Sequence, residues 1–152
     1  MAQISPSLAG AGARTTWARS AGPALLALGC FAALLVPSAR TGDATRSGYG
    51  FVRAAQAAGI FHGSWAHVLG LSLLALPVLA GLSGAAAVLR AYKASVVFCG
   101  LAGLVALVFS AWLLGNLRNG ASLGPWAGVL LGAGAVVTTL LYVIQGSASH
   151  AR

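Results

Sequence analysis

Four stretches of the chain contain no Asp, Glu, Lys or Arg: residues 22–39, 67–89, 95–115 and 125–144. Each is apolar on all sides, so helical periodicity is weak. A helix of that length in water needs a polar face. About twenty apolar residues, rising 1.5 Å each, cross a hydrocarbon layer about 30 Å thick. Inside that layer helices satisfy their own backbone groups. The pattern predicts an all-α integral membrane protein, a four-helix bundle spanning the bilayer at those positions. Residues 1–21 form an N-terminal tail, 22–145 the membrane domain and 146–152 a C-terminal tail.

Prolines punctuate the pattern. Pro23 and Pro125 fall at the starts of the first and fourth spans, where a missing N–H is tolerated. Pro77 falls midway along the second and predicts a kink. In the loop after the first span, Arg46-Ser47-Gly48-Tyr49-Gly50 reads as a turn. Phe51 to Phe61 then reads as a short interfacial helix, with Phe51, Val52, Ala55, Ala58 and Phe61 apolar and Arg53 and Gln56 polar. The first span has a second reading. Arg14 and Arg19, an apolar run and the small residues Ser38 and Ala39 also resemble a signal peptide. Retention gives four spans and is the expectation; cleavage would leave three.

Composition sharpens this reading. Of 152 residues, 59% are hydrophobic and 7% charged, against about 25% charged in soluble domains. That excludes an ordinary soluble domain and a disordered chain. The net charge of +8 raises nucleic-acid binding, but no two basic residues adjoin and no aromatic platform accompanies them. No nucleic-acid partner is expected. The cations read as membrane-boundary charges facing anionic headgroups.

Their distribution also sets the threading. Arg14, Arg19, Arg90, Lys93 and Arg152 fall on one side; Arg40, Arg46, Arg53 and Arg118 fall on the other. The tight Arg90–Lys93 turn weighs most, so both termini are expected in the cytoplasm of a cell-membrane protein. Trp65, Trp112 and Trp126 then anchor the outer interface, and Tyr92 and Tyr142 the inner one.

Candidate chemistry is sparse. Asp43 is the one acidic side chain, which excludes paired-carboxylate catalysis within the chain. His62 and His67 are five apart, not the i, i+4 spacing of a helical zinc pair. His67 lies at the mouth of the second span and is the one candidate ligand for a haem or copper; the ordinary alternative is a histidine bonded to water or headgroups. Cys30 and Cys99 lie in different spans and read as small hydrophobic residues. The expectation is no catalytic residue, no metal, no cofactor and no small-molecule substrate.

Small residues carry the clearest signal among the 21 glycines. Gly124, Gly128 and Gly132 line one face of the fourth span at four-residue intervals. Gly81 and Gly84 in the second span, and Gly100, Gly103 and Ser110 in the third, add to it. Close backbone approach packs helices in lipid, either within this bundle or against a second protein. Thr138 and Thr139 are expected to hydrogen-bond within their own helix.

Ser47-Gly48-Tyr49-Gly50 after the first span, the short basic turn Arg90–Lys93, and Leu123-Gly124-Pro125-Trp126 together form a pattern covering most of the chain beyond residue 20. It resembles small four-span membrane proteins of GC-rich actinobacteria, a class with no agreed activity. The resemblance implies topology and no chemistry. The functional expectation is a non-enzymatic accessory or scaffold subunit, packed against other membrane protein subunits. One alternative is a small transporter or channel acting as an oligomer, its pore lined by Ser72, Ser83, Ser110 and Thr138. Another is a haem-binding redox subunit using His67.

Overall fold

The computed structural model of the protein describes residues 9–41, 44–57, 64–117 and 123–150. Five helices and one hairpin follow in the order α1 (Ala9–Leu35), β1 (Pro37–Thr41), β2 (Ala44–Ser47), α2 (Gly48–Ala57), α3 (Ser64–Val88), α4 (Tyr92–Leu117) and α5 (Leu123–His150). Three helices are long and apolar enough to cross a membrane: α3 over Gly70–Val88, α4 over Tyr92–Gly115 and α5 over Leu123–Gln145. The apolar part of α1, Ala21–Leu35, is shorter.

The element boundaries differ from expectation for local reasons. α1 starts at Ala9, so Pro23 sits inside it and not in its first turn. The segment before Pro23 is polar, yet its alanines and arginines favour helix; low hydropathy does not mean low helicity. α1 ends at Leu35, short of residue 39. Val36 precedes Pro37, and the proline ring steers the residue before it out of the helical region. The chain instead enters an antiparallel hairpin that pairs Ala39 with Arg46, Arg40 with Thr45 and Thr41 with Ala44, with an irregularity at Ser38. Trp65 lies within α3, and Tyr92 and Lys93 within α4, each expected just outside a span.

Between α3 and α4 the chain reverses in very few residues. Arg90 takes a left-handed φ of 58°. Its N–H donates to Ala87 O at 3.1 Å, and the Ala91 N–H to Ala86 O at 2.8 Å. These two bonds close the helix end as a Schellman motif, satisfying carbonyls that the helix leaves open.

α1 and α4 form the centre of the bundle. α4 packs against α1, α3 and α5; α1 also packs against α3 and α5. α4 and α5 make the most extensive pair. The core is built mainly from small side chains: Ala27, Cys30, Ala80, Cys99, Ala102, Ala106 and Ala135. Leu34, Leu73, Leu76, Phe109 and Leu113 join them, but many other large side chains point outward, including Leu71, Leu74 and Val78 on α3, Leu101 and Leu104 on α4, and Leu130, Leu140 and Ile144 on α5. That arrangement inverts the soluble pattern. In water it would expose a contiguous apolar surface; in lipid it costs nothing and lets backbones approach.

The approach is closest between α4 and α5. A Cβ on Gly132 would lie 2.7 Å from Gly103 O and 2.9 Å from Leu107 N. One on Gly103 would lie 2.6 Å from the Ala135 Cβ, and one on Gly100 2.6 Å from Thr139 Oγ1. The Thr139 hydroxyl reaches both Ala135 O, at 3.0 Å in its own helix, and Val96 O, at 3.1 Å on α4. Thr138 donates to Gly134 O at 2.8 Å.

A serine pair joins α3 to α4. Ser83 Oγ donates to Ser95 O, and Ser95 Oγ to Ser83 O, each at 3.0 Å, with both residues fully buried. Ser110 differs. Its hydroxyl is buried against Gly128 and has no hydrogen-bond partner.

Two predictions follow from these contacts. Gly132→Ala should lower thermal stability in detergent by about 1–3 kcal/mol, because its methyl group meets backbone that cannot rotate away. Gly134→Ala, which meets nothing within 4 Å, should be neutral or stabilising. Equal effects would show that the α4–α5 separation does not depend on the glycine. The two kinds of buried serine should differ in sign. Ser83→Ala removes a satisfied interhelical bond and should cost about 0.5–1.5 kcal/mol. Ser110→Ala removes an orphaned hydroxyl and should leave the melting temperature unchanged or raise it.

Candidate functional site

The most elaborated polar geometry lies where α2 meets α3. Ser47 ends β2 and caps α2: its Oγ accepts the Gly50 N–H at 3.2 Å, leaving one fewer orphan donor in the first turn. Gly48 is buried against the end of α1, where a Cβ would lie 3.2 Å from Leu34 O. The segment expected to be a turn is thus a helix start, with Ser47 as its cap. α2 begins at Gly48 rather than Phe51 and is described as far as Ala57. Ala58 and Phe61 lie outside the described residues. The helix does not merely rest on a surface, because Val52 enters the core.

α2 delivers Tyr49 to a specific atom. Pro77 has no N–H, so in α3 the carbonyl four residues earlier, that of Leu73, loses its helical donor. The Tyr49 hydroxyl donates to Leu73 O at 2.6 Å. Within an apolar layer an unpartnered carbonyl costs several kcal/mol, and neighbouring groups must satisfy it. Phe31 of α1 packs edge-on against the Tyr49 ring, with centroids 6.3 Å apart. Burial pushes the Tyr49 hydroxyl above its ordinary pKa.

Beside this bond lies a half-open groove of about 510 Å³, lined by Tyr49, Gly50, Val52 and Arg53 of α2 and by Gly70, Leu73 and Leu74 of α3. Its surface is mainly apolar, and Arg53 is its one charged group.

The residues expected from the sequence fall as follows. Gly124, Gly128 and Gly132 all face this chain's own elements: Gly124 the Val36 and Pro37 carbonyls, Gly128 the Ser110 side chain, Gly132 the α4 backbone. Gly100 and Gly103 face α5. Gly81 and Gly84 do not pack closely; a Cβ on either meets nothing within 4 Å. The buried face of α3 runs through Leu73, Leu76, Ala80 and Ser83, and both glycines lie off it. Tyr92 and Tyr142 stack edge-to-face at one end of the bundle, 5.0 Å apart. Trp112 is half-buried beside Phe109 at the other end, where Trp126 is exposed.

His67 and Trp65 lie in the first turn of α3; the positions of their side chains lie outside the described structure. His62 and Asp43 are outside the described residues altogether. Cys30 and Cys99, far apart in sequence, come near each other where α1 meets α4, both unpaired and buried. Among the described residues no three His, Cys, Asp or Glu side chains gather. Sequence reasoning missed the hairpin, although Gly42-Asp43 between two short polar segments is a two-residue hairpin signal. It also missed the partnership of Tyr49 with Leu73. Pro77 identifies the orphaned carbonyl, but only the tertiary fold brings Tyr49 to it.

No protein-family model, curated protein or solved structure matches the chain.

The bond at Leu73 makes a testable cycle. Tyr49→Phe should destabilise the protein by about 1–3 kcal/mol by orphaning the carbonyl. Pro77→Ala restores an N–H to it. In the Pro77→Ala background Tyr49→Phe should therefore cost much less, a coupling visible in detergent melting curves. Additive effects would mean that the hydroxyl does not replace the missing helical donor.

Proposed function

We propose that the protein is a four-span membrane protein of the cell membrane, with both termini cytoplasmic, acting as a non-enzymatic accessory or scaffold subunit. The observation that carries the membrane part of this reading is the packing, with a core rich in alanine and many leucines and valines exposed. The three long apolar helices are compatible with a bilayer. The fourth span is α1. Its apolar part is short, but α1 continues through 27 residues and packs against α3, α4 and α5. Removing it as a signal peptide would uncover Cys99 on α4.

One observation counts against a pore. Ser83 and Ser110, which an oligomeric channel would need along its lumen, are fully buried within one chain. Gly100, Gly103, Gly128 and Gly132 face the chain's own helices, so a protein partner would meet the outward leucines. A haem-binding role for His67 would require a second ligand from such a partner.

Threading is tested by cysteine labelling in intact cells. The native cysteines are buried and should give little background. Arg46→Cys should react with an impermeant thiol reagent, and Ala91→Cys should not; the reverse pattern would invert the topology. Co-purification in mild detergent should recover stoichiometric membrane partners. A chain that purifies alone, with no Soret absorbance, would remove the subunit and haem readings together.

A further inference from the structure

We infer that the groove between α2 and α3 is a binding site for one anionic phospholipid, its phosphate on Arg53 and an acyl chain along Leu73 and Leu74. This rests on the reading that α3 crosses the bilayer.

The position of the groove comes first. The charge-free run of α3 enters the bilayer at about residue 67, and the α3 wall of the groove, Gly70, Leu73 and Leu74, falls within the two turns that follow. The groove therefore straddles the level where headgroups give way to hydrocarbon. Gly70 has no side chain to fill it. Leu74 and the neighbouring Leu71 are each 66% exposed, so the open side faces the acyl region. A volume of about 510 Å³ falls within the usual range for small-molecule sites, about 300–1,000 Å³.

Charge identifies the occupant. Arg53 is exposed at the rim, and no carboxylate side chain exists among the described residues to pair with it; the single acid is Asp43. The Tyr49 hydroxyl is committed to Leu73 O, so the floor offers no competing polar contact. A guanidinium above an apolar slot, at headgroup depth, matches a phosphate joined to acyl chains. It does not match a free anion, which gains nothing from the slot, nor a neutral lipid, which gains nothing from the cation. Arg binds phosphate bidentately.

The test is native mass spectrometry of the full chain released from detergent, after titration with phosphatidylglycerol, phosphatidylcholine or inorganic phosphate. One phosphatidylglycerol should be retained in preference to phosphatidylcholine. Arg53→Gln should reduce that preference about five-fold, the loss of one interfacial cation, while Arg53→Lys should restore part of it. Arg46→Gln, an exposed cation outside the groove, should leave it intact. Gly70→Leu should fill the groove and lower retention of both lipids. Equal retention of the two lipids, or equal losses from Arg46→Gln and Arg53→Gln, would overturn the assignment. So would binding of inorganic phosphate alone, or displacement of lipid by a second copy of the chain. A protein that no longer fractionates with membranes would instead overturn the spanning reading.

Discussion

Helices in a bilayer gain almost nothing from burying leucine against leucine, because acyl chains offer the same surroundings. Cohesion must come from how near two backbones can lie, and α4 and α5 lie nearly as close as their atoms allow. Gly132 presents bare backbone to Gly103 O and Leu107 N, where a Cβ would lie 2.7 and 2.9 Å away. Each dispersion contact is worth only about 0.1–0.2 kcal/mol, but a close seam collects many. The same constraint explains the outward leucines. Large residues on the contact faces would hold the helices apart. Placed outside, they match the solvent. The apolar periodicity that marks a soluble helix is therefore absent, and small-residue spacing takes over as the packing signal.

The second demand of the apolar layer is that backbone groups find partners. Pro77 breaks one hydrogen bond in α3, and the consequence extends into the hairpin and α2. Ser47 caps α2, α2 carries Tyr49, and Tyr49 reaches the carbonyl that Pro77 leaves open. The loop after α1 is thus part of the support of α3. At the C-terminal end of α3 the Schellman bonds around Arg90 serve the same requirement, and close by the reciprocal Ser83–Ser95 bonds tie α3 to α4. Ser110 is the exception. Its hydroxyl occupies the space left by Gly128, which suits the close approach of the helices but supplies no acceptor.

The legible part of this architecture was the part set by long-range composition. Charge-free runs locate α3, α4 and α5 to within a few residues, since the hydrocarbon layer excludes charge over a defined length. The glycine stripe of α5 could be read because four-residue spacing places side chains on one face without knowledge of the neighbour. Gly81 and Gly84 show the limit of that inference. They lie three residues apart, also on one side of a helix, but the face of α3 that packs is set by Leu76 and Ala80. The α1 ends and the hairpin were hidden because polar helix and polar loop look alike in hydropathy. Only the rule against helix before Pro37, and the Gly42-Asp43 pair, distinguish them. Tyr49 was invisible as a partner because its role depends on a contact made across 24 residues of sequence.

The position of α1 ties these constraints together. It has the shortest apolar stretch of the four long helices, and it contains a proline and borders a polar segment. Alone in lipid it would be the least stable of the four. In the bundle it lies at the centre, touching α3, α4 and α5, with Ala27, Cys30 and Leu34 turned inward. α3 and α5 flank it and have no extensive contact with each other, so α1 and α4 together hold them apart and in place. A helix with a short apolar stretch packs against three others, with Leu25, Leu28 and Leu35 left on its exposed face, and its small residues let those neighbours approach. Gly29, meeting the Leu131 side chain of α5 at ordinary van der Waals distance, and Ala27, fully buried, are two points where that approach is visible. The least hydrophobic of the four long helices therefore contributes to the bundle through its neighbours rather than through its own apolar length.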